Sequence, residues 1–216
     1  MIIIFDWDGT LCDSVEQIVA AMQAAASELG LDAPEPQAVR NIVGLGLPQA
    51  ILALFPRLDE PARTTIAEAY SRHYVNADQG PAALFSGALE TLHALRNRGF
   101  ELAVATGKSR RGLNRVLAGL GLGDFFEATR CADETRSKPH PLMLEEIMRE
   151  RGKAATEVVV VGDTEYDLEM ARNAGAASIG VSFGVHDSER LNRHQPLAIV
   201  DELPHLLDLE VLAGRG

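Results

Sequence analysis

The chain has 216 residues, of which 46% are hydrophobic and 24% charged, and its formal net charge is −11. That length and composition suit a folded globular protein with one core, or a core plus a small module, and argue against disorder. The acidic balance disfavours nucleic acid and anionic membrane as partners, and it obliges any anionic substrate to find a local positive site.

Ile2 to Phe5 form a continuous β-branched and aromatic run, which predicts a buried strand. This apolar start is too short for a signal segment and is interrupted by Asp6 and Asp8. Asp13-Ser14 supplies a helix-capping signal. Val15, Ile18, Met22, Ala25 and Leu29 follow at helical spacing, closed by Gly30. Further helical stretches are expected around 35–43, 48–55 and 60–77, punctuated by Pro34, Pro36, Pro48, Pro56 and Pro61. From Pro81 the texture changes. A helix is predicted over 86–98, a strand over Phe100–Thr106, a helix over 109–120, a short strand near 125–129 and a helix over 140–151. Strands at Glu157–Val161, Ala177–Val181 and Ala198–Val200, with helices at 165–174 and 203–212, complete the pattern.

Such alternation predicts an α/β fold with a doubly wound, Rossmann-like parallel sheet. The all-helical stretch after the first strand reads as an insertion. The expected division is a core of residues 1–13 and 82–216 with an α-helical cap over 14–81. No apolar run approaches the roughly 18 residues of a membrane span. Cys12 and Cys131 match no metal spacing and no disulfide framework, so a reducing, cytoplasmic setting is expected.

In an open parallel sheet, ligands bind at the carboxyl ends of the strands. There stand Asp6 and Asp8, Thr106 and Gly107, and Gly162-Asp163-Thr164 with Asp167; Lys138-Pro139 precedes a helix on the same edge. Four carboxylates at one edge repel each other unless a cation joins them. All-oxygen donors suit Mg2+, which keeps waters that phosphate oxygens can replace. Thr106 offers a hydroxyl, Gly107 an approachable backbone N–H and Lys138 a point charge, so the sum is a phosphoryl-transfer site.

Asp6-x-Asp8-Gly9-Thr10, Thr106, Lys138-Pro139 and Gly162-Asp163-x3-Asp167 resemble, in order, the motifs of the haloacid dehalogenase superfamily. The inserted segment resembles its small α-helical cap type, and the whole is similar to the phosphoglycolate phosphatase-like branch. The resemblance implies a phosphatase that hydrolyses a small phosphorylated metabolite through an aspartyl-phosphate. It makes Asp6 the nucleophile and Asp8 the acid/base, with the Asp8 backbone carbonyl on Mg2+. Asp6 and Asp163 would be metal ligands, and Asp167 a ligand or the holder of a metal water. Thr106, Gly107 and Lys138 would bind the phosphoryl group, and Lys138 would also steady Asp6. One departure is Gly107, where related phosphatases often carry Asn.

A dehalogenase would need neither Asp8 nor the Asp163/Asp167 pair. A phosphonatase would need a cap lysine, and residues 13–85 contain none. A β-phosphoglucomutase-like mutase and a pyrophosphatase rank next, and a non-catalytic binding protein last. Around the site, Lys108 is read as a surface residue, Asp13 and Ser14 as helix caps, Cys12 as a small buried residue and His140 as a loop residue. Trp7 either packs under the hinge or faces substrate. Gly44-Leu45-Gly46-Leu47 is either a loop over the site or a plain turn. Phe183-Gly184-Val185-His186 reads more readily as a plain segment than as a border of the pocket.

Overall fold

The apolar runs do become strands in the structure, a computed structural model that describes residues 1–77 and 83–213. In chain order the elements are β1 (Ile2–Phe5), α1 (Val15–Glu28), α2 (Pro36–Arg40), α3 (Leu47–Leu54), α4 (Glu60–Ala77), α5 (Ala88–Asn97), β2 (Glu101–Thr106) and α6 (Arg110–Gly119). β3 (Ala128–Cys131), α7 (Leu142–Arg151), β4 (Val158–Gly162), α8 (Glu165–Asn173), β5 (Ala177–Val181), α9 (Ser188–Asn192) and β6 (Ile199–Val200) follow. The strands make one parallel sheet in the order β3-β2-β1-β4-β5-β6. The fold is therefore the expected Rossmann-like α/β type. β1 lies between β2 and β4, where the strand order reverses, and that is where such sheets open a crevice.

The pleat sorts side chains to two apolar layers. Ile3 and Phe5, with Leu102, Val104, Val159 and Val161, pack on one face against α5 and α6 residues such as Leu92, Leu95 and Leu113. Ile2 and Ile4, with Ala103, Ala105, Val158 and Val160, pack on the other against Met143, Leu144 and Ile147 of α7 and Met170 of α8. Burial on both faces is why β1 and β4 read as unbroken apolar runs rather than alternating ones.

Helices α1 to α4 gather around a third core of Ile18, Val19, Met22, Val39, Ile51 and Ile66. The chain leaves and re-enters the α/β part side by side. Asp13 N–H donates to the Ala83 carbonyl at 2.8 Å, Phe85 N–H donates to that of Leu11 at 3.0 Å, and Cys12 bridges to Leu84 in antiparallel fashion. The expected boundary at 81/82 lies outside the described residues.

Three expectations are corrected. The short strand near 125–129 is instead β3, at Ala128–Cys131. Phe125 and Phe126 pack on each other edge-on at 5.3 Å and turn into the core before the strand begins. The helix expected over 203–212 is two 3-10 turns, Leu203–Asp208 and Glu210–Leu212. Leu203, Leu206, Leu209 and Leu212 recur every third residue, which suits three residues per turn rather than 3.6. Helix α9 was not expected. Its signal is Asp187, whose side chain accepts the Arg190 N–H at 2.8 Å as an N-cap.

Candidate active site

The pleat of β1 carries Asp6 to the face of Ile2 and Ile4, where α7 and α8 pack. Trp7 goes to the opposite face, fully buried and edge-on to Phe126 at 6.4 Å, so it packs beneath the site and does not face substrate. Asp163 follows β4, and Asp167 lies in the first turn of α8. Asp6, Asp163 and Asp167 are all buried, and each presents a carboxylate oxygen within 4.8 Å of the others.

Each acid is held differently. Asp163 accepts the Thr10 hydroxyl at 2.8 Å through Oδ1 and the Val185 N–H at 2.9 Å through Oδ2. Asp167 Oδ2 accepts the Thr164 N–H at 3.2 Å and its hydroxyl at 2.7 Å, which also starts α8 as a capping box. Lys138 Nζ donates to Asp167 Oδ1 at 2.6 Å and lies 2.7 Å from Asp6 Oδ1. Asp6 Oδ2 is buried and accepts no hydrogen bond. Gly9 has φ +85°, and a Cβ there would stand 2.3 Å from Asp163 Oδ2, so the turn that follows Asp8 requires glycine for both conformation and space.

Burial is the first cause that holds the Asp6 carboxyl well above the usual range; Lys138 opposes it, and Asp167 and Asp163 add to it. Burial, and then Asp167, push Asp163 up to about 7, against the Val185 and Thr10 donors. Burial works against the Lys138 charge, but Asp167 and Asp6 outweigh it and raise its pKa. Three buried carboxylates share one cation, Lys138, and Asp6 keeps one free oxygen. That donor set fits a hard divalent cation.

Thr106 ends β2 on the same edge, fully buried, and its Oγ1 accepts the Lys108 N–H at 3.1 Å. A Cβ on Gly107 would come within 2.5 Å of the Leu45 carbonyl oxygen and 2.7 Å of that of Gly44. The Gly44–Leu47 segment thus lies directly on the sheet edge. Gly46 N–H donates to Ser137 Oγ at 2.8 Å, and Tyr166 Oη donates to the Asn41 carbonyl at 2.8 Å. The segment is therefore a loop over the site rather than a plain turn. Phe183–His186 does border the acids, through the Val185 N–H on Asp163.

Asp8 stands apart from the three clustered acids. Its Oδ1 accepts from Lys108 Nζ at 2.7 Å and from Ser14 Oγ at 2.5 Å. This corrects two expectations. Lys108 is not a surface residue, since its side chain is only 9% exposed. Ser14 holds the N-cap position of α1, but its side chain makes no cap bond and serves Asp8 instead. Cys12 is buried as expected, and burial pushes its thiol up to about 11. His140 is a loop residue whose Nδ1 accepts the Leu142 N–H at 3.2 Å.

A surface cleft of about 520 Å³ lies beside β3 instead, lined by residues that include Arg110, Arg130, Glu134, Glu146 and Glu150. Its arginines are already paired, Arg110 with Glu134 at 2.8 Å and Arg130 with Glu146 at 2.7 Å, so the cleft offers no ready anion site.

A family model described as haloacid dehalogenase-like hydrolase matches residues 3–181. A relative from Dickeya dadantii, named "Probable phosphatase IndB", is 37% identical over 205 residues, covering 93% of this chain and 89% of the relative. A protein named phosphoglycolate phosphatase, from Vibrio vulnificus, is 31% identical over 221 residues, covering 99% of this chain and 97% of its own. The crystal structure of a hydrolase from Pseudomonas syringae superposes with a TM-score of 0.87 at 24% identity, covering 96% of each chain; at that identity the likeness speaks for the fold.

Proposed function

The chain belongs to the haloacid dehalogenase-like hydrolases and is a phosphatase of that family, and we propose that it hydrolyses a small organophosphate through an aspartyl-phosphate on Asp6. The observation that carries this reading is the free Asp6 oxygen beside Asp163, Asp167 and Lys138. Asp6, Asp163 and Asp167, with the Asp8 backbone carbonyl, would hold Mg2+. When bound, Mg2+ would offset the gathered negative charge of these acids and of the phosphoryl group.

In the first step the free oxygen of Asp6 attacks phosphorus, and the bond from phosphorus to the ester oxygen breaks. Asp8 gives its proton to the departing oxygen. Water then attacks the phosphorus of the aspartyl-phosphate, passes a proton to Asp8 and frees Asp6 and inorganic phosphate. Thr106, the Gly107 N–H and Lys138 hold the phosphoryl oxygens. The helices α1 to α4 act as a cap that selects the leaving group. Relatives named for phosphoglycolate make that ester the first candidate, while Gly107 in place of Asn removes an amide from the substrate side. A mutase needs a second phosphate site. Arg40, the basic residue nearest in sequence to Gly44–Leu47, is paired with Glu16 at 2.7 Å. Among the described residues, no helix is long and apolar enough to cross a membrane.

The direct test is phosphate release from a panel of phosphorylated metabolites and p-nitrophenyl phosphate, with and without Mg2+. Mg2+-dependent release from at least one alkyl phosphate is expected. No release from any member under either condition rejects the reading.

A second expectation concerns pH. The folded chain holds Asp163 at about 7, against roughly 3.9 for an unfolded Asp. The folded, metal-free form therefore binds more protons than the unfolded one in that window. As pH rises from about 4 through 7, this group turns progressively against folding. Mg2+ needs the ionised carboxylates and competes with those protons. At saturating Mg2+ the melting temperature should rise by roughly 5–10 °C at pH 8 and by less than about 2 °C at pH 5.5. Equal rises at both pH values would remove Asp163 from the metal site.

A further inference from the structure

The steps above leave Lys108 without a task. Its backbone N–H donates to Thr106 Oγ1 at 3.1 Å, so its position is tied to the phosphoryl side of the site. Its ammonium reaches the other way. It donates to Asp8 Oδ1 at 2.7 Å and to Tyr74 Oη at 3.0 Å, and it stands 4.7 Å from the centre of the Tyr74 ring. The Lys108 and Asp8 side chains are each 9% exposed. Tyr74 lies on α4 in the helical unit, whereas Asp8 and Lys108 belong to the sheet edge. One lysine thus joins the cap to the acid/base rather than to the clustered acids.

Burying an ion pair is a poor way to gain stability, because desolvation cancels much of the attraction. An apolar side chain would fill the same space at less cost. What the pair does provide is direction. Lys108 and Ser14 both donate to Asp8 Oδ1, so the carboxyl is held in place through that oxygen. Tyr74 fixes the ammonium only while α4 rests against the sheet edge.

We propose that Lys108 and Tyr74 are positioning residues for the leaving-group step, holding Asp8 by Oδ1 so that Oδ2 faces the ester oxygen when the cap is seated. The proton passes from Asp8 Oδ2 to that oxygen as its bond to phosphorus breaks. The inference rests on the phosphatase reading above, and the experiment separates the two. Alkyl leaving groups need the proton, whereas p-nitrophenolate departs readily without it.

Wild type, Lys108→Met and Tyr74→Phe are compared, each with Mg2+, on p-nitrophenyl phosphate and on the alkyl phosphate of the panel with the highest kcat. For Lys108→Met, kcat/KM on the alkyl ester, which reports only the steps through loss of the alcohol, should fall by about 10- to 100-fold, and kcat/KM on p-nitrophenyl phosphate by less than about 3-fold. Tyr74→Phe removes only a hydroxyl and should show the same split with a smaller fall, so it decides the matter if Lys108→Met does not fold. A lost cation that merely attracted substrate would lower kcat/KM for both esters alike and leave their ratio unchanged. Equal loss on both esters, or none, in an otherwise active enzyme overturns the positioning role and leaves the phosphatase reading standing. A wild type active on p-nitrophenyl phosphate but on no alkyl phosphate overturns the leaving-group role alone, and inactivity on every ester removes both.

Discussion

Asp6→Asn is expected to abolish turnover while the fold survives. The amide has the shape of the carboxylate, so the neighbours need not move. It cannot form the acyl-phosphate, because its oxygen carries no full charge to attack phosphorus. The loss in kcat should be on the order of 10^4-fold or more, as for other covalent nucleophiles. Stability should not fall with it. Asp6 is a fully buried carboxyl whose charge is opposed by burial, Asp167 and Asp163. Removing that charge relieves the two acids, and Lys138 keeps Asp167 as a partner at 2.6 Å. The paired measurement is kcat on p-nitrophenyl phosphate and the melting temperature without metal. A variant that keeps more than about 1% of wild-type kcat would dismiss Asp6 as nucleophile.

Lys138→Met carries the largest expected cost to stability. The ammonium is fully buried between Asp6 and Asp167, and nothing else named around those two acids bears a positive charge. Removing one partner of a buried pair leaves an uncompensated charge and costs roughly 3–5 kcal/mol. For a chain of this size that is a fall of about 6–20 °C in melting temperature. The penalty should shrink as pH falls. Asp6 and Asp163 already have raised pKa values, so acid neutralises the charges that the lysine had balanced. At pH 8 the gap between variant and wild type should be wide, and at pH 5 narrow. Turnover should be lost as well, since Lys138 stands 2.7 Å from Asp6 and, in the proposed mechanism, would hold the phosphoryl oxygens. A variant equally destabilised at both pH values would show that Lys138 acts through packing rather than charge.

The sheet and its acidic edge could be read from residues because both rest on local chemistry. Ile2–Phe5 and Val158–Val161 are unbroken apolar runs, and Asp6, Asp163 and Thr106 each come within two residues of a strand end. Lys138 stood out as a lysine fixed before a proline. What the sequence hid depends on contacts between distant segments. Lys108 looks like any lysine before a helix until Tyr74, from the far end of the helical unit, and Asp8 close on it. Ser14 carries a capping signature that its Oγ does not honour, because Asp8 is the stronger acceptor. Trp7 was ambiguous until the pleat of β1 assigned it a face. The leucines from 203 to 212 recur every third residue, which suits the two 3-10 turns found there rather than an α-helix.

The side-by-side crossing at Leu11–Asp13 and Ala83–Phe85 has a thermodynamic consequence. To the sheet, everything between those two segments is one closed loop whose ends are already joined by backbone hydrogen bonds. The entropy of closing a loop grows only with the logarithm of its length, so doubling the insert costs the rest of the molecule about 0.6 kcal/mol. Helices can therefore be gained, lost or recast between the crossings with little penalty to the strands that hold Asp6 and Asp163. In the proposed mechanism, the part of the chain that would meet the leaving group is free to change, while the part that would break the bond stays as it is.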